Sequence, residues 1–118
     1  MQVWQQYYDP GVPPSLDYPA RPVDDFLRAT ARRSPTDQTA LIYGAMTPRW
    51  GELHQTLTFN ELDALVDRFA AGLQALGLQK GDRVAVYTVN CPQFIIAYYG
   101  TLRAGGIVVP LNPLYVAR

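Results

Sequence analysis

Val84 to Pro110 reads VAVYTVNCPQFIIAYYGTLRAGGIVVP, and the punctuation of this stretch decides the fold class. Val84 to Thr88 is short, apolar and β-branched, the composition of a strand. Asn90 followed by Pro92 predicts a helix capped at its start, with proline in the first turn where its missing N–H costs nothing, running to about Ala104. Gly105-Gly106 then ends the helix and Ile107 to Pro110 is a second strand. Two strands joined by one helix in so few residues lie parallel, connected by a right-handed crossover. The chain is therefore of the α/β class.

Upstream, Lys80-Gly81-Asp82-Arg83 reads as a turn into the first of these strands. Before it comes a helix with a full set of signals. Thr58 and Glu61 form a capping box, Leu62, Leu65, Val66, Phe69, Ala70, Leu73 and Leu76 make one apolar stripe, and Gly77 closes it. Thr39 to Tyr43 predicts another strand, with residues 44 to 55 as a polar connection returning through Leu57 in a hairpin. Val23, Phe26, Leu27 and Ala31 have helical spacing, with Asp24 and Asp25 at the start and Arg32 and Arg33 at the end, both suited to the helix dipole; Ser34-Pro35 stops that helix. Residues 1 to 22 carry five prolines and are expected to form an extended arm, neither helix nor sheet. Trp4, Tyr7, Tyr8 and Tyr18 sit among those prolines, too many large aromatics for a disordered tail, so the arm is expected to lie on a surface, its own or that of a partner subunit. The organisation expected is thus an aromatic arm, 1 to 22, and an α/β body, 23 to 118, with helices packed on a mixed or parallel sheet that contains the β-α-β unit.

Composition narrows the functions. Ten Lys and Arg balance ten Asp and Glu in 118 residues, so there is no net field to gather nucleic acid or an anionic membrane surface. One cysteine, Cys91, and one histidine, His54, exclude an internal disulfide and a zinc site built on soft ligands. The opening MQVWQQYYDP lacks the basic and apolar blocks of a signal peptide, and no apolar run is long enough to span a bilayer, which points to a cytoplasmic protein. From Val84 to Arg118 the only charges are Arg103 and Arg118, and the helix between the two strands is apolar nearly all round. Such a helix is buried on more than one side. The expectation is that something covers it, either a partner chain or a sheet that continues past Arg118.

Three stretches taken in order, TFNEL at 58 to 62, LGLQKGDRVAVYTVNCP at 76 to 92 and YYGTLRAGGIVVPLNPLY at 98 to 115, resemble the N-terminal part of the adenylate-forming, AMP-dependent acyl-CoA synthetases. The opening W-x-x-Y-Y-x-x-G-V-P of Trp4 to Pro13 and the ending NPLY of Asn112 to Tyr115 are most similar to the bacterial long-chain fatty-acid CoA ligases. The resemblance implies a parent enzyme that uses ATP and Mg to turn a fatty acid into an acyl adenylate, then passes the acyl group to coenzyme A (CoA). It also implies that the phosphate loop, the adenine and Mg motifs and the catalytic lysine lie downstream of this chain. The expected role of these 118 residues is then structural, with no catalytic residue, metal ligand or bound cofactor of their own. Related ligases of this kind are often dimeric, so Trp4, Tyr7, Tyr8 and Tyr18 are candidate contacts between subunits, and the remainder of the ligase chain is the other expected partner. The resemblance leaves the parent cytoplasmic or peripheral to a membrane. Two other readings stay open: a ligase of the same superfamily for an aryl, medium-chain or amino acid, and a self-contained assembly module.

Residue by residue, the site signals are sparse. Gly105-Gly106 lacks the further glycines, Lys and Ser or Thr of a phosphate cradle and reads as a helix end. Cys91, at a helix start with no base nearby in sequence, reads as a packed thiol, and His54 as a solvated side chain. Ser15 and Ser34, both beside prolines, give no support to a hydrolytic site. What remains is positional. Ligands of open parallel sheets bind past the carboxyl ends of the strands, and the chain leaves the second strand there as Leu111-Asn112-Pro113. By resemblance these three residues belong to the wall on the coenzyme A side of the cleft.

Overall fold

Each expected element has a counterpart in the computed structural model, which describes residues 3–49 and 51–114. Tyr115 and Arg118, which close the NPLY motif and the charge-poor stretch, lie outside the described residues. In chain order come a short 3-10 helix at Val3–Tyr7, α1 at Asp24–Arg33, β1 at Thr39–Thr47, β2 at Gly51–Thr58, α2 at Phe59–Ala75, β3 at Arg83–Tyr87, α3 at Pro92–Arg103 and β4 at Ile107–Leu111. The strands divide between two small sheets, an antiparallel hairpin of β1 and β2 and a parallel pair of β3 and β4.

The β3–α3–β4 crossover is as read from the sequence, in register from Arg83 opposite Ile107 to Tyr87 opposite Leu111. The helix cap shifts by one residue. Cys91 and not Asn90 is the N-cap, with extended φ and ψ and no side-chain hydrogen bond to the helix start, so Pro92 in the first turn does the pre-setting alone. At the other end Gly105 has φ +87°, its N–H bonds Leu102 O at 3.0 Å, and the Gly106 N–H bonds Thr101 O at 2.9 Å. A Cβ on Gly106 would stand 2.9 Å from Thr101 Cγ2. The pair of glycines is thus explained by the turn and by the closeness of α3 to β4.

α2 begins with its capping box formed in both directions: the Glu61 N–H donates to Thr58 Oγ1 at 3.2 Å, and the Thr58 N–H donates to Glu61 Oε2 at 2.8 Å. Leu62, Val66 and Ala70 of its stripe are buried, whereas Leu76 is exposed because the helix ends at Ala75 and Leu76 is the C-cap. Leu27 of α1 joins Leu62 and Val66 in the core, ringed by Ala40, Leu41, Phe59, Ile95, Ile96 and Tyr99. α3 crosses α2 where Gly100 leaves room for Phe69; a Cβ on Gly100 would lie 2.7 Å from Phe69 Cδ1 and 3.1 Å from Phe69 Cβ.

Two expectations need correction. Residues 44 to 55 are no open connection: β1 runs on to Thr47 and closes opposite Gly51, because cross-strand pairing extends past the apolar TALIY core of the strand. His54 consequently sits in β2, opposite Gly44. The arm is not devoid of helix, since Val3–Tyr7, which precedes all its prolines, closes a 3-10 turn. As expected, the apolar α3 meets several elements, α1, α2 and the two strands, and it is only half-buried along Phe94 to Tyr99; large apolar side chains are exposed elsewhere, among them Tyr7, Leu16 and Tyr18 on the arm and Ile42, Leu76, Tyr87, Ile107, Leu111 and Leu114 on the body.

Candidate functional site

Because β3 and β4 are parallel and in register, their carboxyl ends, Tyr87 and Leu111, lie side by side, and both following loops open to the same side. Between those loops is an open cleft of about 550 Å³. Thr88, Val89 and Asn90 line it from the first loop, Phe94 from α3, and Pro110, Leu111, Asn112 and Leu114 from β4 and beyond. Two of the three residues singled out from the sequence, Leu111 and Asn112, therefore stand in the cleft wall. Pro113 contributes its backbone: its carbonyl accepts a long hydrogen bond from Tyr87 Oη at 3.4 Å, tying the loop to the end of β3. Asn112 Oδ1 accepts the Leu114 N–H at 2.9 Å, an Asx turn that fixes the course of the chain as it leaves the strand.

The lining is apolar apart from the Thr88 hydroxyl and two side-chain amides. Such a wall can hold and orient a ligand, but it has no general acid or base. Cys91 is half-buried beside the cleft, its Sγ 3.6 Å from Thr88 Oγ1, and it also borders a smaller apolar recess of about 300 Å³ with Leu41, Ile42, Tyr43, Pro92, Phe94 and Ile95. His54 is exposed on β2, and Ser34 caps the end of α1 through its backbone N–H to Thr30 O at 2.9 Å. Neither approaches the cleft lining.

The dominant charged feature was not singled out from the sequence. Arg103, in the last turn of α3, has a buried side chain gripped by three aspartates: Nε to Asp24 Oδ2 at 3.3 Å, Nη2 to Asp63 Oδ1 at 2.7 Å and Nη1 to Asp67 Oδ1 at 3.0 Å. Nη1 also donates to the Asp63 carbonyl at 3.1 Å, and Arg28 Nη2 reaches Asp67 Oδ1 at 2.6 Å. Burial alone would lower the Arg103 pKa, but the hydrogen bond and charge of Asp63, joined by Asp24 and Asp67, raise it above the ordinary arginine value. The signal was present, since Arg103 is the single charge between Arg83 and Arg118; a lone charge in an apolar stretch must be paired.

This cluster also decides how the chain suits the groups of the expected parent enzyme. The three gathered carboxylates are wrapped around a guanidinium, so a metal ion would have to displace Arg103, and among the described residues no other such group could hold one. The Gly105-Gly106 turn spends its N–H groups on helix carbonyls and cradles no phosphate. Neither Mg nor the phosphates of ATP fit these residues. Among the described residues no helix is long and apolar enough to cross a membrane.

Comparison with known proteins gives concordant results. The AMP-binding enzyme family matches residues 27–118. The chain is 46% identical over 115 residues to a long-chain-fatty-acid–CoA ligase of Bacillus subtilis, covering 95% of this chain and 18% of that one. It is 41% identical over 121 residues to the long-chain-fatty-acid–CoA ligase of Yersinia pestis, covering 99% of this chain and 19% of the relative. Among solved structures, a fatty acid AMP ligase from Legionella pneumophila superposes with a TM-score of 0.67 at 34% identity, covering 78% of this chain and 15% of that chain. This chain thus spans about a fifth of the length of the curated relatives it matches. The extent of the family match, together with a parallel crossover that opens its cleft at the strand ends, makes this chain a member of the AMP-binding enzyme family.

Proposed function

We propose that these residues are the front part of the large α/β domain of a long-chain fatty-acid CoA ligase, with the arm at 1–22 and the body at 23–118. The parent reaction joins a fatty acid to ATP, giving an acyl adenylate and pyrophosphate, and then transfers the acyl group to coenzyme A with release of AMP. The observation that carries this reading is 46% identity to such a ligase over 95% of the chain. The part played here is architectural. Leu111 and Asn112 form a section of the cleft wall, read as its coenzyme A side, with Pro113 holding their loop through its carbonyl, while ATP, Mg and the reacting groups are held by other residues. The remainder of the ligase is the main partner, and Trp4, Tyr7, Tyr8 and Tyr18 are contacts between subunits. The parent works in the cytoplasm or at the periphery of a membrane.

Exchange of segments provides the test. This chain replaces the aligned segment of the Bacillus subtilis ligase, and acyl-CoA formation is measured with long-chain, medium-chain and aryl acids beside the unaltered host. Activity on the long-chain acid is expected in the hybrid, and none from the 118-residue chain alone. A soluble, folded hybrid without activity, or fatty-acid-dependent pyrophosphate release by the chain alone, would overturn the proposal.

A further inference from the structure

The side of α1 that meets α2 and α3 is half ionic. Asp24, Leu27, Arg28 and Ala31 share one face by helical spacing, and of these only Leu27 and Ala31 are buried apolar side chains. The two charged members are the ones with long-range partners: Asp24 holds Arg103, and Arg28 holds Asp67. Asp24 and Arg103 are 8% and 7% exposed at their side chains. By contrast α2 and α3 meet through close apolar packing at Gly100 and Phe69 and around Val66. Before Asp24 no described residue is buried. The arm is tied to α1 by Arg21, whose guanidinium lies 3.9 Å over the ring of Phe26, a residue of α1.

Directional ion pairs hold a helix differently from apolar burial. A buried pair keeps its partners in one arrangement, and losing either member leaves an uncompensated charge, while a packed apolar interface yields gradually. α1 has only two buried apolar side chains, Leu27 in the core beside Leu62 and Val66 and Ala31 one turn on, and a peripheral segment with so few opens before the rest of a fold. We propose that the Asp24–Arg103 contact is a clasp, and that α1 with the arm before it opens as one unit, separately from α2 and the β3–α3–β4 crossover. The arm can then be swung to another surface without disturbing the cleft, because α1 leaves with it, hinged at Ser34-Pro35 just past its last residue, and the other half of the clasp is in the last turn of α3, far from the cleft end of that helix.

Hydrogen exchange read by mass spectrometry on the 118-residue chain tests this, using the unaltered protein, Asp24→Asn and Arg103→Met. In Asp24→Asn, amides of Asp24–Arg33 should exchange about tenfold faster or more, the loss of one charge-assisted hydrogen bond, while α2, α3 and β3 keep their rates. Arg103→Met should release α1 further. If that variant does not fold, Asp24→Asn decides alone, because it leaves Arg103 paired with Asp63 and Asp67. The clasp is wrong if all three helices accelerate together, if α1 keeps its rate in Asp24→Asn, if that variant unfolds throughout, or if α1 is unprotected in the unaltered chain.

Discussion

Thr101 is fully buried in α3, and its hydroxyl has no hydrogen-bond partner among the described residues. What the residue supplies is its methyl group, set against Gly106 at the start of β4. An unpaired buried hydroxyl costs about 1–3 kcal/mol, so Thr101→Val, which keeps the methyl and removes the oxygen, should stabilise the chain by about 1 kcal/mol. Urea denaturation followed by circular dichroism measures it, and a loss of stability would reveal a partner for the oxygen. Arg103, two positions on, is the opposite case. All its charge is answered, by carboxylates from α1 and α2 that no local pattern ties to it, since Asp24 lies 79 residues away in sequence.

At the scale of elements, α2 is the one whose start is fixed by its own side chains. Thr58→Ala removes the hydroxyl's half of the reciprocal cap, leaving the backbone N–H bond to Glu61, and should cost about 1 kcal/mol in the same denaturation experiment. The backbone N–H of Thr58, with its hydroxyl, holds the Glu61 carboxyl below the ordinary glutamate pKa. A depressed folded-state pKa stabilises above the unfolded value and is lost as pH falls through the folded one. Of the destabilisation by Thr58→Ala, the part from the lost hydroxyl-to-carboxylate bond should therefore be full at neutral pH and shrink below the usual glutamate range, while the backbone N–H bond keeps Glu61 depressed in both proteins. This helix and the β3–α3–β4 crossover were legible in the sequence because their signals are local: a cap, a 3.6-residue stripe, a glycine pair. The outer half of the hairpin was not, because residues 44 to 55 carry turn formers and polar side chains, and only pairing with the opposite strand makes them extended. The position of Leu111 and Asn112 at the cleft was legible from topology alone, whereas the Tyr87 bond that holds the loop in place depends on contacts across 26 residues.

For the whole molecule, the radius of gyration is 18.6 Å, against roughly 13–14 Å for a compact domain of this length. The arm accounts for part of the excess. Trp4, Tyr7 and Tyr18 are 59%, 79% and 77% exposed, so these aromatics do not fold back to cover α1. Deleting residues 1 to 18 should then lower the association state seen by sedimentation while the melting temperature hardly moves; an unchanged sedimentation coefficient would make the arm a passenger. The parallel pair β3 and β4 carries a consequence for synthesis. Its two strands are separated by a single helix, so they can pair as soon as Leu111 has left the ribosome, within a few seconds of β3 at about 5–20 residues per second. Until further strands reach it, such a pair is an open-edged, nearly uncharged template for sticking to its neighbours. Arg83 at the first position of β3 and Pro110 inside β4, which offers no N–H to an incoming strand, act as gatekeepers over that interval, guarding the nascent chain against aggregation.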